Sequence, residues 1–178
     1  IHCMNVVNVL KSSVVAGICI GIAGIGFLAT RDIIGSVLFA FALLSVVAYK
    51  LYLYTGTAGF IKKGELPLLL LVFAGNIAGC LLMSLLARLS PMSLQESAQN
   101  ILEGRLAMGP LHGGLLSIAC GFIMTTAVTF ARKGNNLPLL FGVPLFTTCG
   151  YPHCMADAFF YLCVPLDFRM ANLGSILS

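Results

Sequence analysis

The sequence predicts an all-α integral membrane protein, one polytopic helical bundle of five apolar spans in which the second and fifth spans are broken inside the hydrocarbon. Three observations predict it. The chain is 59% hydrophobic and only 9% charged over 178 residues, against roughly 25% charged in an average soluble domain, and its mean hydropathy is +1.01. Five stretches reach or approach the roughly 20 apolar residues that a spanning helix needs, at residues 14–30, 33–60, 66–89, 110–131 and 137–166. Two of these runs carry glycine, proline or polar residues at mid-membrane depth, where irregular backbone is tolerated only against protein or a water-filled cavity. Loops are short, so residues 1–178 read as a single transmembrane domain.

Charge excludes one class of partner and orients the chain. Ten basic residues give a net charge of +4, but they are scattered, whereas a nucleic-acid footprint needs a clustered basic face. In the five-span arrangement Lys11, Lys62, Lys63, Arg132 and Lys133 fall on one side, and Arg31, Arg88, Arg105 and Arg169 on the other. The excess places the N-terminus in the cytoplasm, with the chain in a plasma membrane of the bacterial inner-membrane kind. Seven cysteines lie mostly inside apolar runs, where a free thiol behaves as a small hydrophobe. The chain opens on Ile1, without an initiator Met or a signal peptide, and stops at Ser178 after a short polar stretch, as a trimmed or partial product would.

In the first span Gly17, Gly21, Gly24 and Gly26 recur every three or four residues, which lets a neighbouring helix approach closely. The second run is too long for one straight span, and its interruption is expected at Tyr54-Thr55-Gly56-Thr57, with Thr55 capping a short half-helix. Lys50, just before it, either snorkels or packs at a subunit contact, or attracts an anion near a pathway. In the third span Gly75-Asn76-Ile77-Ala78-Gly79 is a small-residue face with one amide, expected to bond a neighbouring helix. Residues 90–109 read as a solvated polar loop holding Glu96, Glu103 and Arg105. The fourth span opens at Pro110, with His112 at the interface, and Thr125, Thr126 and Thr129 can back-bond to their own helix.

The fifth run holds the centre of the molecule, Gly150-Tyr151-Pro152-His153-Cys154. Gly150 suits the end of one half-helix and Pro152 the first turn of the next. His153 then falls among free amides at the positive end of a half-helix, a geometry that favours an anion. Asp157, four residues on, shares its face and can hold the imidazole proton. Two broken helices, second and fifth, suggest a duplicated plan, and transporters built from inverted repeats place their site where such breaks meet.

At these residues the chain resembles the formate/nitrite transporter family, pentamers of aquaporin-like, six-helix protomers with one pore each. Leu53-Tyr54-Thr55-Gly56 looks like the family's Leu-Phe-Thr-Gly break. Gly75-Asn76-x-x-Gly79 looks like its helix-three motif, and Gly150-Tyr151-Pro152-His153-Cys154-Met155-Ala156-Asp157 like its Gly-Phe-Glu-His-Ser-x-Ala-Asn signature. The resemblance implies an aquaporin-like bundle with an inverted repeat, its sixth helix starting near Asn172 and cut off at Ser178. It makes His153 the central pore histidine and Thr55 the threonine facing it, with Asp157 beside them on the substrate pathway. Phe39, Leu43, Leu53 and Phe146 fall on its apolar constrictions, and Arg105 on the basic residue that draws in the anion. It also implies a homopentamer in the lipid bilayer that carries small monovalent anions past His153 with a proton, without enzymatic activity, cofactor or metal. The chain departs from the pattern at Pro152, Asp157, Gly121 and Tyr52, which removes polar groups around the histidine and adds a carboxylate.

Three rival readings follow from the same residues. His112 and His153 could ligate a haem in a membrane redox subunit, although one opens its span and the other sits mid-span. Cys149, His153 and Cys154 are close in sequence but lack an evident fourth ligand for a metal. The last is a membrane assembly protein that transports nothing.

Overall fold

The structure is a computed structural model that describes residues 5–172, which are helical almost throughout, with no strand among them. α1 (Val6–Thr30) starts earlier than the expected span because Asn5 caps it, its side chain accepting from the Val7 N–H at 3.0 Å. Arg31, left-handed at φ 55°, ends it. α1 packs against α4 (Leu66–Arg88), and glycines set the distance between them. A Cβ on Gly17 would collide with the backbone of Asn76, and one on Gly79 with the carbonyl of Val14. Gly24 is filled by the ring of Phe159 in the same way.

α2 (Ile33–Ala48) begins at Asp32, whose Oδ1 accepts from the Gly35 N–H at 2.9 Å. At 1.5 Å per residue it is about 24 Å long, short of the roughly 30 Å hydrocarbon core. It is followed by α3 (Tyr54–Ala58), and the two together make the broken second span. α6 (Leu137–Thr148) and α7 (Cys154–Cys163) do the same for the fifth.

The two breaks are copies of one another. After α2, Lys50 N–H bonds to Val47 O at 3.1 Å and Leu51 N–H to Val46 O at 2.9 Å, with Lys50 left-handed at φ 52°. After α6, Gly150 N–H bonds to Thr147 O at 3.1 Å and Tyr151 N–H to Phe146 O at 2.9 Å, with Gly150 at φ 67°. Both are Schellman closures, and in each the third residue past the left-handed one, Leu53 or His153, caps the next half-helix.

These caps correct two expectations. The break in the second span lies before Tyr54, not at Tyr54-Thr55-Gly56-Thr57, and Leu53 rather than Thr55 holds the cap position. A lysine takes the left-handed position there, so no glycine marks it. The first turn is expected to hold both Pro152 and His153, but in the fifth span His153 is the cap itself, one residue before the helix, and Pro152 stands two residues before it.

Residues 90–109 are not a loop. They run into α5 (Leu94–Arg132), a 39-residue helix interrupted only at Gly109 (φ 75°, ψ 164°), which precedes Pro110. Leu94, Ala98 and Leu102 recur at helical spacing and are buried, while Glu96 and Glu103 face out. The polar majority of this segment hides a one-faced helix. Beyond the kink α5 exposes Leu111, Leu115, Ile118 and Phe122 along one face, an apolar surface suited to lipid or another helix.

α1, α4 and α5 are each long and apolar enough to cross a membrane. Arginines finish the half-helices, whose last carbonyls lack helical partners. Arg88 Nη2 donates to Leu162 O at 2.9 Å and Val164 O at 3.2 Å. Arg132 Nη2 donates to Gly56 O at 3.0 Å while its guanidinium lies 4.0 Å over the Phe60 ring. α8 (Leu166–Ala171) follows Pro165 and ends at Asn172. The expected sixth helix beyond Asn172 lies outside the described residues.

Candidate functional site

His153 is fixed from three sides. Its Nδ1 accepts from the Ala156 N–H at 3.3 Å, its own N–H donates to Asp157 Oδ2 at 3.0 Å, and its ring stacks on Phe146 with centroids 5.0 Å apart. The first two bonds form a reciprocal cap of the kind that satisfies orphan donors at a helix start. Because Nδ1 accepts, the neutral ring carries its proton on Nε2. That atom is buried and has no hydrogen-bond partner among the described residues.

Asp157 therefore does not hold the imidazole proton, contrary to what its spacing predicts. It accepts the backbone N–H of His153 with one oxygen and Arg105 Nε, at 3.4 Å, with the other. Spacing puts residues i and i+4 on one face, but a helix cap turns the histidine's main chain, not its ring, toward the carboxylate. Arg105 also donates through Nη1 to Gly150 O and through Nη2 to Tyr151 O at 3.2 Å. It staples the first half of α5 to the carbonyls that the break after α6 leaves open.

The other break is held by Asn76. Its Oδ1 accepts from Tyr54 N–H at 2.7 Å, and its Nδ2 donates to Ser13 O at 2.7 Å and Tyr52 O at 3.0 Å. An interhelical bond was expected of this amide, but its part in organising the break was missed, because both bonded main-chain groups lie on another span.

Several cavities adjoin these breaks, and three of them matter here. One of about 400 Å³ is lined by Arg31, Phe39, Arg105, Phe146, Tyr151 and His153, among others. A second, of about 490 Å³, is lined by residues including Leu43, Lys50, Leu53, Thr55, Glu65 and Arg132. A third, of about 420 Å³, brings Thr55 and His153 onto one wall system with Gly121, Pro152 and Asp157. Thr55 Oγ1, like His153 Nε2, is buried without a partner among the described residues. Buried polar atoms are nearly always bonded, and these two unpartnered atoms belong to residues that line one cavity.

Phe39, Leu43, Leu53 and Phe146 are all buried. Phe39 and Leu43, one turn apart on α2, face different cavities, and Phe39 meets Phe146 edge to face with centroids 6.4 Å apart. Phe39 and Phe146 line the His153 cavity, and Leu43 and Leu53 line the Lys50 cavity. His112 is exposed on α5, far from the burial of His153. The six described cysteines are free thiols, and Cys149 and Cys154 are exposed rather than buried. Thr129 Oγ1 back-bonds to Thr125 O at 2.7 Å.

A family described as formate/nitrite transporter matches residues 2–176. The chain belongs to the formate/nitrite transporter family. This formate/nitrite transporter is accordingly a transmembrane transport protein and not an enzyme, in agreement with the resemblance read from its three motifs. Its fold is similar to that of a solved structure, "Pentameric formate channel with formate bound", with a TM-score of 0.75 and 21% identity over 88% of this chain and 73% of that one. A comparison with curated proteins finds no match.

Proposed function

We propose that this transporter is a channel for small monovalent anions, formate or nitrite foremost and hydrosulfide or a short monocarboxylate within its range, with one pore in each protomer of a homopentamer. The family supports the substrate class, and the likeness to a pentameric formate channel supports the assembly. The observation that carries the pathway is the pair of orphaned buried atoms, His153 Nε2 and Thr55 Oγ1, in the walls of one cavity.

An unpaired charge at the bilayer centre costs about 2.5 to 3.5 kcal/mol on insertion scales. Phe39, Leu43, Leu53 and Phe146 act as an apolar band that opposes a bare anion on those terms, and neutralising the anion removes most of the barrier. Amides at the start of α7 favour negative charge, and Nε2–H donates to an anion oxygen. The net step is A⁻ + H⁺ → HA, with the proton drawn from the aqueous cavity. Neutral imidazole supplies only the hydrogen bond. Handing over a proton takes the imidazolium, whose extra proton on Nδ1 requires release of the Ala156 contact. The weak acid then crosses the band, and the anion re-forms beyond it. The excess of basic residues beside Lys62 and Arg132 supports a cytoplasmic N-terminus.

The deciding experiment is formate flux through purified protein in liposomes from pH 5 to 8, for the natural chain and His153→Ala. The reading expects the substitution to change both the rate and its pH dependence. Unchanged flux at every pH would remove His153 from the pathway.

A further inference from the structure

Resting on the anion-channel reading, we infer that Arg31, not Arg105, is the cation that captures the incoming anion at the mouth of the His153 cavity. Both arginines line that cavity. Arg105 is committed: its Nε, Nη1 and Nη2 donate to Asp157, Gly150 and Tyr151, and the Asp157 carboxylate offsets its charge. Among the described residues the Arg31 side chain makes a single hydrogen bond, from Nη1 to Ser97 O at 2.7 Å, and no carboxylate there lies within 4.0 Å of its nitrogens. The adjacent Asp32 is turned away to cap α2 through the Gly35 N–H. A guanidinium has five donors in a planar fork matched to a carboxylate or nitrite, so an exposed Arg31 with most of its fork open offers this cavity a positive charge that no carboxylate pairs.

Position supports the assignment. Arg31 closes α1 in a left-handed conformation, φ 55°, between the ends of α1 and α2. The carbonyl it binds belongs to the first half of α5, which also carries Arg105. The guanidinium is thereby held over the cavity by α5 and left able to exchange one acceptor for another.

The test is initial formate uptake into liposomes against formate concentration, at low and high KCl, for Arg31→Asn, Arg31→Lys and Arg105→Gln. Asparagine tolerates the left-handed backbone at 31, so the change is chiefly one of charge. Arg31→Asn should raise KM about fivefold at low salt with Vmax kept, the size of effect expected of a single unit charge in water. The rise should shrink in high KCl, and Arg31→Lys should restore most of it. An unchanged KM in Arg31→Asn, or a KM rise confined to Arg105→Gln, would overturn the assignment while leaving the channel intact. Absence of saturable anion uptake by the natural chain would instead overturn the channel reading beneath it.

Discussion

Leu53 and His153 hold the same place in the two broken helices, each capping a half-helix three residues after a left-handed closing residue. One repeat puts an apolar side chain at that cap and the other an imidazole, so one backbone device yields a dry wall on one side and a polar point on the other.

The closing residues themselves differ, and the difference is measurable. Lys50 is left-handed at φ 52°, which costs an ordinary residue roughly 1 to 2 kcal/mol. Lys50→Gly should therefore raise the thermal stability of the detergent-solubilised protein by up to about 1 kcal/mol, partly offset by greater freedom of the unfolded chain. Gly150→Ala, at φ 67°, should lower it by a similar amount.

Asn76 binds three main-chain groups across two elements. Asn76→Leu leaves the Tyr54 N–H without its acceptor, at about 1 to 3 kcal/mol for a buried donor. Amide hydrogen exchange should quicken at Tyr54 more than at residues in the middle of α4.

The Arg105–Asp157 pair has a distinct signature. Arg105→Gln strands a carboxylate in the protein, a change worth about 3 to 5 kcal/mol where the pair is buried and less here because both side chains keep about a fifth of their surface. Asp157→Asn retains an oxygen for the His153 N–H and should cost less. The double variant Arg105→Gln/Asp157→Asn should melt above Arg105→Gln alone, a coupling that additive contributions would not give.

Close packing of α1 on α4 predicts the harshest outcome. Gly17→Leu drives a side chain into the backbone of Asn76, and main chain cannot yield as a flexible side chain does. Overpacking typically costs about 1 to 3 kcal/mol, and a main-chain collision belongs at or beyond the upper end. Gly26→Leu, on the same helix with open space around it, should be tolerated, so comparing the two by size-exclusion profile separates contact from helix propensity.

Much of the fold was legible in the residues. Apolar runs located most of the helices, and Gly150 with Pro152 located the second break. The first break was misplaced because Lys50 closes it without a glycine. The helix from Leu94 looks like a loop in sequence because its buried face is only Leu94, Ala98 and Leu102 among polar neighbours.

By itself the sequence determined the membrane class, the glycine-lined helix faces and the histidine at a mid-span break, since these depend on composition and on neighbours three or four residues apart. Only the tertiary structure decided who partners whom. Arg105 reaches Asp157 across 52 positions and Asn76 reaches Tyr54 across 22, contacts that no local periodicity encodes. Among the described residues, those distant bonds decide that Arg105 is engaged, that Arg31 has its fork largely open, and that the Nε2 of His153 is left without a partner.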